Sequence, residues 1–459
     1  MSKIKRVNMK GSSIKGPLIT NPVEITRDML TPGQKEAENR FCKWFYGEKS
    51  KRPSGQILRI GGGSGAGKSF LIKYLVSKYH FTQSNCYIMS YTGQSVNVLR
   101  QNGVMAKTIH SSIMIPMEEE VINKKTGKPY MKNGIPLTMV KFKPMKSLPK
   151  SVKLIIVDEA SFLPETLEQV LKMYRIPILE IGDPIQLPPV ADAQCFRMDN
   201  LDYFIEGVMR QKADSELYDF LTRLRQGKNI DTRKYHDEVL FLYAQPTIEE
   251  TFHRFFPFFK SADIIVTCTN KQRQVITDLY RKEIIGTESP FPVEGERMIC
   301  RKNNQALSLD QYFLTNGTQG ICMADVGRSM IDKRNKTFYM DFQPDVVADT
   351  ELYYGNMICD TDFLMQPFGG NQMTSYKHPG EKFEYAHAIT THLSQGAQYD
   401  TVLYMDAFFP DMDYQARIRY TASSRAKKRL IYIIPYSQYP GWFDLRNIEE
   451  RRIAAGLDL

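Results

Sequence analysis

Short apolar runs alternating with helical segments predict an α/β chain built on parallel sheets covered on both faces. Two further observations sharpen that prediction. Gly62-Gly63-Ser64-Gly65-Ala66-Gly67-Lys68-Ser69 is a full GxxxxGK[S/T] phosphate loop, set between a predicted strand and a predicted helix. And 459 residues are too many for one ordinary core, so two large domains are expected.

The elements follow in order. Residues 1–29 read as a basic N-terminal tail: the first 23 carry five basic and no acidic side chains, and no apolar core follows, which excludes a secretory signal. A strand over 56–60 delivers the chain to the phosphate loop, and a helix starts near Gly67. A strand over 86–91 and a helix over 94–101 come next. Between 111 and 149 the rhythm breaks. That stretch holds seven lysines, turn signals at Thr126-Gly127 and Asn133-Gly134, and interleaved Tyr130 and Phe142. It reads as a β-hairpin turning at Asn133-Gly134, or as a charged, solvated loop. Apolar strands over 154–157 and 177–181 complete a first domain ending near residue 200. A second set spans 201–440, with a strand over 263–268, a helix over 270–285 and strands over 386–390, 401–405 and 430–434. Inside it, about 290–383 is richer in Gly, Asn and Pro and reads as a small β-rich insert. Residues 441–459 form a C-terminal tail.

Composition narrows the function classes. With 42% hydrophobic and 24% charged residues the chain reads as a soluble globular protein. Lys and Arg (61) exceed Asp and Glu (51), and the resulting +10 favours a polyanionic partner, although a generally basic protein reads the same way. Seven cysteines and seven histidines are dispersed, with no CxxC pair or Cys/His cluster. That pattern suits a reducing cytosol and argues against a disulfide framework or a zinc site. No apolar run reaches the length of a membrane span.

The chemistry begins at the loop. Glycines without Cβ atoms let backbone N–H groups curl round a phosphate, and the helix behind presents its positive end to the same anion. Lys68 reaches the terminal phosphates and the Ser69 hydroxyl ligates magnesium, so a nucleoside triphosphate is the expected ligand. The run Leu154-Ile-Ile-Val-Asp158-Glu159 is an apolar strand ending in acids. Asp158 is placed to hold magnesium, and Glu159 to orient and deprotonate the attacking water. In Gly182-Asp183-Pro184-Ile185-Gln186-Leu187-Pro188-Pro189 the prolines read as a rigid exit from the sheet, whereas the polar Gln186 falls at a strand end, near the phosphates.

The ordered series resembles the superfamily 1 helicases, most closely the RecD/Dda-like branch (superfamily 1B), from about residue 30 to 434. Leu30-Thr31-Pro32-Gly33-Gln34 resembles the opening motif, whose glutamine reads adenine. Tyr91-Thr92-Gly93 and Thr108-Ile109-His110-Ser111 resemble the two strand-contacting motifs of the first motor domain. Gln186 matches the glutamine that senses the γ-phosphate, and Arg210 in Glu206-Gly-Val-Met-Arg210 the arginine that touches it. Thr390-Thr391-His392-Leu393-Ser394-Gln395-Gly396 is similar to a block that places Thr391 and His392 on the strand and Gly396 at the nucleotide; Gln395 favours the RecD/Dda-like side. Tyr420-Thr421-Ala422-Ser423-Ser424-Arg425-Ala426 resembles the last motif, with Arg425 as its arginine finger. Here Ser424 replaces the usual threonine. Read singly, Arg210 and Arg425 fit surface residues of basic clusters equally well, and His110 and His392 fit capping or core histidines.

The resemblance implies two RecA-like parallel-sheet motor domains, 30–200 and 201–440. It makes 111–149 a duplex-splitting pin with Asn133 on the nucleic acid, and 290–383 an SH3-like β-barrel. It implies ATP with Mg2+ as ligands, held by Gln34, Gly62, Gly63, Ser64, Gly65, Ala66, Gly67, Lys68, Ser69 and Gly396, with Ser69 and Asp158 on the metal. Lys68, Asp158, Glu159, Gln186, Arg210 and Arg425 would catalyse; Thr92, Thr108, His110, Asn133, Thr391 and His392 would contact the strand. The expected activity is 5′-to-3′ translocation on single-stranded DNA and unwinding of duplex, in replication, recombination or repair. Expected partners are single-stranded DNA and single-strand/duplex junctions, with single-strand-binding or replisome proteins. The expected protein is a monomer with no membrane association, in the cytoplasm, that of the host for a bacteriophage Dda-type enzyme. Three alternatives stay open: an RNA helicase of the same superfamily, a phosphate-loop enzyme that does not act on nucleic acid, and a nucleic-acid clamp that has lost hydrolysis.

Overall fold

The computed structural model describes residues 18–19, 25–47, 56–120, 122, 126–129, 131–132, 135–136, 138–189, 192–206, 215–309, 312–366 and 380–436. Most of both expected tails, Arg210 and the Asn133-Gly134 turn lie outside the described residues.

The first lobe is a six-stranded sheet whose order in space is Tyr203–Ile205, Ile57–Gly62, Ile178–Gly182, Leu154–Asp158, Cys86–Ser90, Lys107–Thr108, with every pair parallel. All five residues of Leu154–Asp158 are buried. Leu154 and Ile156 join one apolar cluster while Ile155 and Val157 join another, so alternate side chains bury against helices on opposite faces. That double burial is why the strand reads as a continuous apolar run. Helix Pro32–Tyr46 opens on Pro32 with a reciprocal capping box between Thr31 and Gln34. The edge strand Tyr203–Ile205 carries the sheet past residue 200, the boundary expected from sequence. Three residues, Tyr-Phe-Ile, are too few to show a periodicity there.

The second lobe repeats the plan with five parallel strands, ordered Val239–Tyr243, Ala426–Ile434, Tyr399–Met405, Ile264–Thr267, Ala388–Thr390. Leu430 and Tyr432 face one cluster, Ile431 and Ile433 the other.

Between helix Asn270–Leu279 and strand Ala388–Thr390 the chain detours through an antiparallel sheet. Thr337–Pro344 pairs with Tyr354–Asp360 and Gln319–Cys322, and Arg297–Cys300 pairs with Gln319–Cys322 and Phe383–Tyr385. Glu381 N–H donates to Ile358 O at 2.7 Å and Asp360 N–H to Glu381 O at 2.9 Å, so the residues leading into Phe383–Tyr385 bridge back to Tyr354–Asp360 and the sheet curls into a small, partly closed barrel. Met298, Cys300, Phe338, Met340, Phe342 and Phe383 fill it.

The interruption after residue 111 is a hairpin rather than a loop. Met114–Glu120 pairs antiparallel with Thr138–Pro144, and farther out Met131–Lys132 pairs with Ile135–Pro136. Its base is pinned by Tyr174, whose hydroxyl donates to Met145 O at 2.9 Å. Among the described residues no helix is long and apolar enough to cross a membrane.

Candidate active site

The phosphate loop leaves strand Ile57–Gly62 and enters helix Lys68–Lys78. Gly65 and Gly67 take φ of 79° and 75°, a left-handed path that side-chain-bearing residues rarely follow. The Lys68 ammonium turns back over the loop, donating to Gly62 O (2.9 Å) and Gly63 O (3.0 Å). Gln34 is fully buried beneath it. Its Nε2 donates to Ala66 O (3.2 Å) and Gly67 O (3.1 Å), and its Oε1 accepts from Thr31 N–H (2.9 Å). Both ends of the amide are engaged by the protein here, so the side chain braces the loop from below.

Asp158 ends its strand beside the loop and is 4% exposed. Burial, reinforced by the adjacent Glu159 charge, pushes its carboxyl up to about 7, while the Lys68 charge and a hydrogen bond with Ser69 pull it back. Glu159 adopts a left-handed φ of 53°, which turns its carboxylate away from the strand direction. Its Oε2 and the Oε1 of Gln186 are both buried without a hydrogen-bond partner among the described residues. Buried acceptors of this kind cost free energy unless a ligand satisfies them. A carboxylate next to a helix-start hydroxyl, with oxygen donors only, fits a hard divalent cation such as magnesium.

The second lobe closes over this corner through helix Met412–Ser423. Ser64 N–H donates to Tyr420 Oη at 3.1 Å, and that hydroxyl donates to Asp183 Oδ2 at 2.6 Å. Leu187 N–H donates to Thr421 Oγ1 at 2.9 Å, and Arg417 Nη1 donates to Pro184 O (3.0 Å) and Gln186 O (3.2 Å). Arg425 sits in the same crevice, 3% exposed. Its Nε, Nη1 and Nη2 donate to Thr421 O (2.9 Å), Ala397 O (3.2 Å) and Ser424 Oγ (2.8 Å). Burial lowers its pKa, and the Glu159 carboxylate opposes that shift. Lys68, Ser69, Asp158, Glu159, Gln186 and Arg425 are thus brought together. Sequence reasoning quoted Tyr420, Thr421 and Asp183 inside motifs but gave them no role. A tyrosine flanking an arginine motif has no distinctive spacing, and only the fold shows that it spans two lobes.

Of the expected strand contacts, Asn133 lies outside the described residues, and Thr92, Thr108, His110, Thr391 and His392 lie at or just beyond the carboxyl ends of sheet strands, where ligands of open α/β sheets bind. Thr92 and Thr108 cap the helices Gly93–Gln101 and Ile109–Ile113, accepting from Ser95 N–H and Ser111 N–H. His110 lies between Tyr91 and the exposed Phe142 of the hairpin, with ring centroids 6.0 and 5.5 Å away. His392 faces Tyr414, 6.5 Å between centroids and 27° between planes. Burial lowers the pKa of both histidines, so neutral imidazoles are presented at pH 7. His392 and Tyr414 line a cavity of about 680 Å3 with Pro188, Asn270, Arg301 and Thr390.

Thr391 is fully buried, and its hydroxyl donates to Thr267 O at 3.1 Å, which ties two strand ends together. Gly396, at φ 82°, packs on the cap of the first lobe: a Cβ there would strike Ser95 Oγ and lie 3.3 Å from Thr92 Oγ1. Gly396 thus packs between the lobes, and its neighbour Ala397 reaches the arginine crevice.

Comparison with known proteins agrees with both halves of this site. Residues 51–192 match the family described as AAA domain, and residues 385–433 the UvrD-like helicase C-terminal domain. No curated protein sequence matches the chain. Among solved structures, Bacteroides Pif1 bound to single-stranded DNA is similar at 14% identity, covering 93% of this chain and 98% of that one, with a TM-score of 0.51. A structure described as the basis for DNA unwinding at forked duplex by two coordinating Pif1 helicases has the same identity, coverage and TM-score. Pif1 helicase from Candida albicans follows at 16% identity, 94% and 99% coverage and TM-score 0.47. The first two share the fold of this chain: two RecA-like lobes, each carrying an insert.

Proposed function

We propose that this chain is an ATP-driven DNA helicase of superfamily 1 that moves 5′ to 3′ along a single strand and opens the duplex ahead of it. One observation carries the reading: the phosphate loop, the Gln186 loop and the Arg425 helix meet across the cleft, joined through Tyr420 and Thr421. A triphosphate held by both lobes favours their closure, and loss of its terminal phosphate releases it. The helicase-type match over the second lobe supports this assignment, as does the two-lobed fold shared with structures described as DNA-bound Pif1.

In this reading the loop N–H groups and Lys68 bind the β- and γ-phosphates. Ser69 and Asp158 would hold magnesium, whose charge would offset that of the phosphates. Glu159 accepts the proton of the water that attacks the γ-phosphorus, and Gln186 links the site to the strand face. Arg425 stabilises the charge that develops on the transferred group once closure frees a nitrogen from its own-lobe acceptors. Polarity and the Dda-type, bacteriophage assignment rest on the resemblance to the RecD/Dda-like branch, which Gln395 favours.

The deciding experiment measures ATPase stimulation by oligo-dT and oligo-U, with unwinding of duplexes tailed at either end. Stimulation by oligo-dT and opening of 5′-tailed duplexes is expected. Efficient opening of a duplex with only a 3′ tail reverses the polarity, preference for oligo-U makes it an RNA enzyme, and an ATPase indifferent to both removes nucleic acid from the reading.

A further inference from the structure

We propose that Arg225 is a third arginine of the triphosphate site, delivered to the phosphate loop from the second lobe. This rests on the nucleotide reading above and adds to the roles given to Arg210 and Arg425. Helix Glu216–Arg225 ends on this residue. The guanidinium lies directly against Gly63. A Cβ built on Gly63 would collide with Arg225 Nη1 and stand 3.6 Å from its Cζ, so the arginine occupies the space a side chain would fill. Lys68 Nζ holds the carbonyl of that same glycine at 3.0 Å. Two cations, one from each lobe, therefore bracket one residue of an anion-binding loop.

What the guanidinium lacks is equally informative. Arg223, two residues earlier, pairs with Asp219 at 2.8 Å, the ordinary i, i+4 arrangement on a helix surface. Arg225 makes no ion pair and donates no hydrogen bond among the described residues; its Cζ lies 5.3 Å from the Phe204 ring, and its charge is felt by the Tyr420 hydroxyl beside the same glycine. That ring is itself positioned: Phe204 sits on the edge strand opposite Gly61, in parallel register with the strand that feeds the loop. A cation–π contact steers a guanidinium while leaving its N–H donors unused. Arg425 is the opposite case, with all three nitrogens already donating inside its own lobe. An uncommitted planar fork over a phosphate loop matches the oxygens of a terminal phosphate. Arg225 therefore distinguishes triphosphate from diphosphate, and it links the first helix of the second lobe to the nucleotide.

The test uses the full chain with Arg225→Ala and Arg225→Lys, titrated with a fluorescent non-hydrolysable ATP analogue and with fluorescent ADP. Loss of a charge-assisted contact should weaken the triphosphate about 10- to 100-fold. ADP affinity should change less than about twofold, and Lys should restore part of the loss. Thermal melting of both variants checks that the fold is kept. Unchanged triphosphate affinity, or equal loss for both nucleotides, overturns the assignment, the second because it marks a purely structural prop for the loop. The helicase reading fails separately: if DNA does not stimulate hydrolysis while triphosphate binding still depends on Arg225, this inference stands without it.

Discussion

Lys68→Ala removes the one ammonium over the loop and should cut ATP hydrolysis by at least about 100-fold, since charge stabilisation at the reacting phosphate is lost. Single-strand affinity should stay within about twofold, because no strand-facing residue touches Lys68; a coupled ATPase assay beside fluorescence anisotropy reads both. Tyr420→Phe tests the lobe contact. It strips a donor from the fully buried Asp183 and an acceptor from Ser64 N–H, costing about 1–3 kcal/mol. Calorimetry should show a lower unfolding temperature, and kcat should fall more than KM rises. At this scale the grouping of Lys68, Ser69, Asp158 and Glu159 was legible because they are fixed to strand and helix ends that the sequence marks. The packing of Gln34, Thr391 and Gly396 was not legible, because a motif gives residue type and order, not which segment each residue meets in the fold.

Among the elements, the hairpin Met114–Glu120/Thr138–Pro144 and the barrel are the two departures from the repeated lobe plan. Truncating the hairpin beyond Glu120 and Thr138 should lower duplex unwinding at least about 10-fold while leaving translocation, read by single-strand-dependent ATPase, largely intact. Equal loss of both would show that the hairpin grips the strand rather than splitting the duplex. The barrel is rooted by a buried cluster: Glu296 accepts from Arg281 Nε at 2.6 Å, and His387 Nε2 lies 3.3 Å from the same carboxylate. His387 stacks on Tyr280 at 4.5 Å. Burial holds the His387 pKa below its ordinary value of about 6.5, against the pull of Glu296. The unfolded chain therefore takes up a proton first as pH falls. The stability this residue contributes is present above about pH 6.5 and is lost as pH drops through the folded-state value. Melting temperatures should decline between pH 7.5 and 5.5, and His387→Gln should flatten part of that decline. From the residues themselves the barrel was legible only as a β-rich composition, and its barrel form came from the family resemblance, because most of its strands are too short to carry a period.

Over the whole molecule, the alternation of buried runs with helices announced two parallel sheets. The edge strand Tyr203–Ile205 is too short to carry a period, whereas Val239–Tyr243, Val-Leu-Phe-Leu-Tyr, is a continuous apolar run that was legible and went unread. How the lobes face each other was not written in any motif; it depends on hydrogen bonds such as Leu187 to Thr421, between residues more than two hundred positions apart. A net charge of +10 should make strand binding salt-dependent. With about four phosphates engaged, raising salt from 50 to 200 mM should weaken it roughly 50-fold, and a flat response would argue for a neutral ligand. The barrel has one further consequence. It leaves from the helix side of a crossover and returns into Ala388–Thr390, immediately beside Ile264–Thr267. Its two junctions thus belong to a single connection that a short turn could replace, which makes it a cassette. Splicing it out while substituting Glu296's partners, Arg281 and His387, with neutral residues should yield a minimal engine. Barrels from other proteins could then be grafted at the same seam.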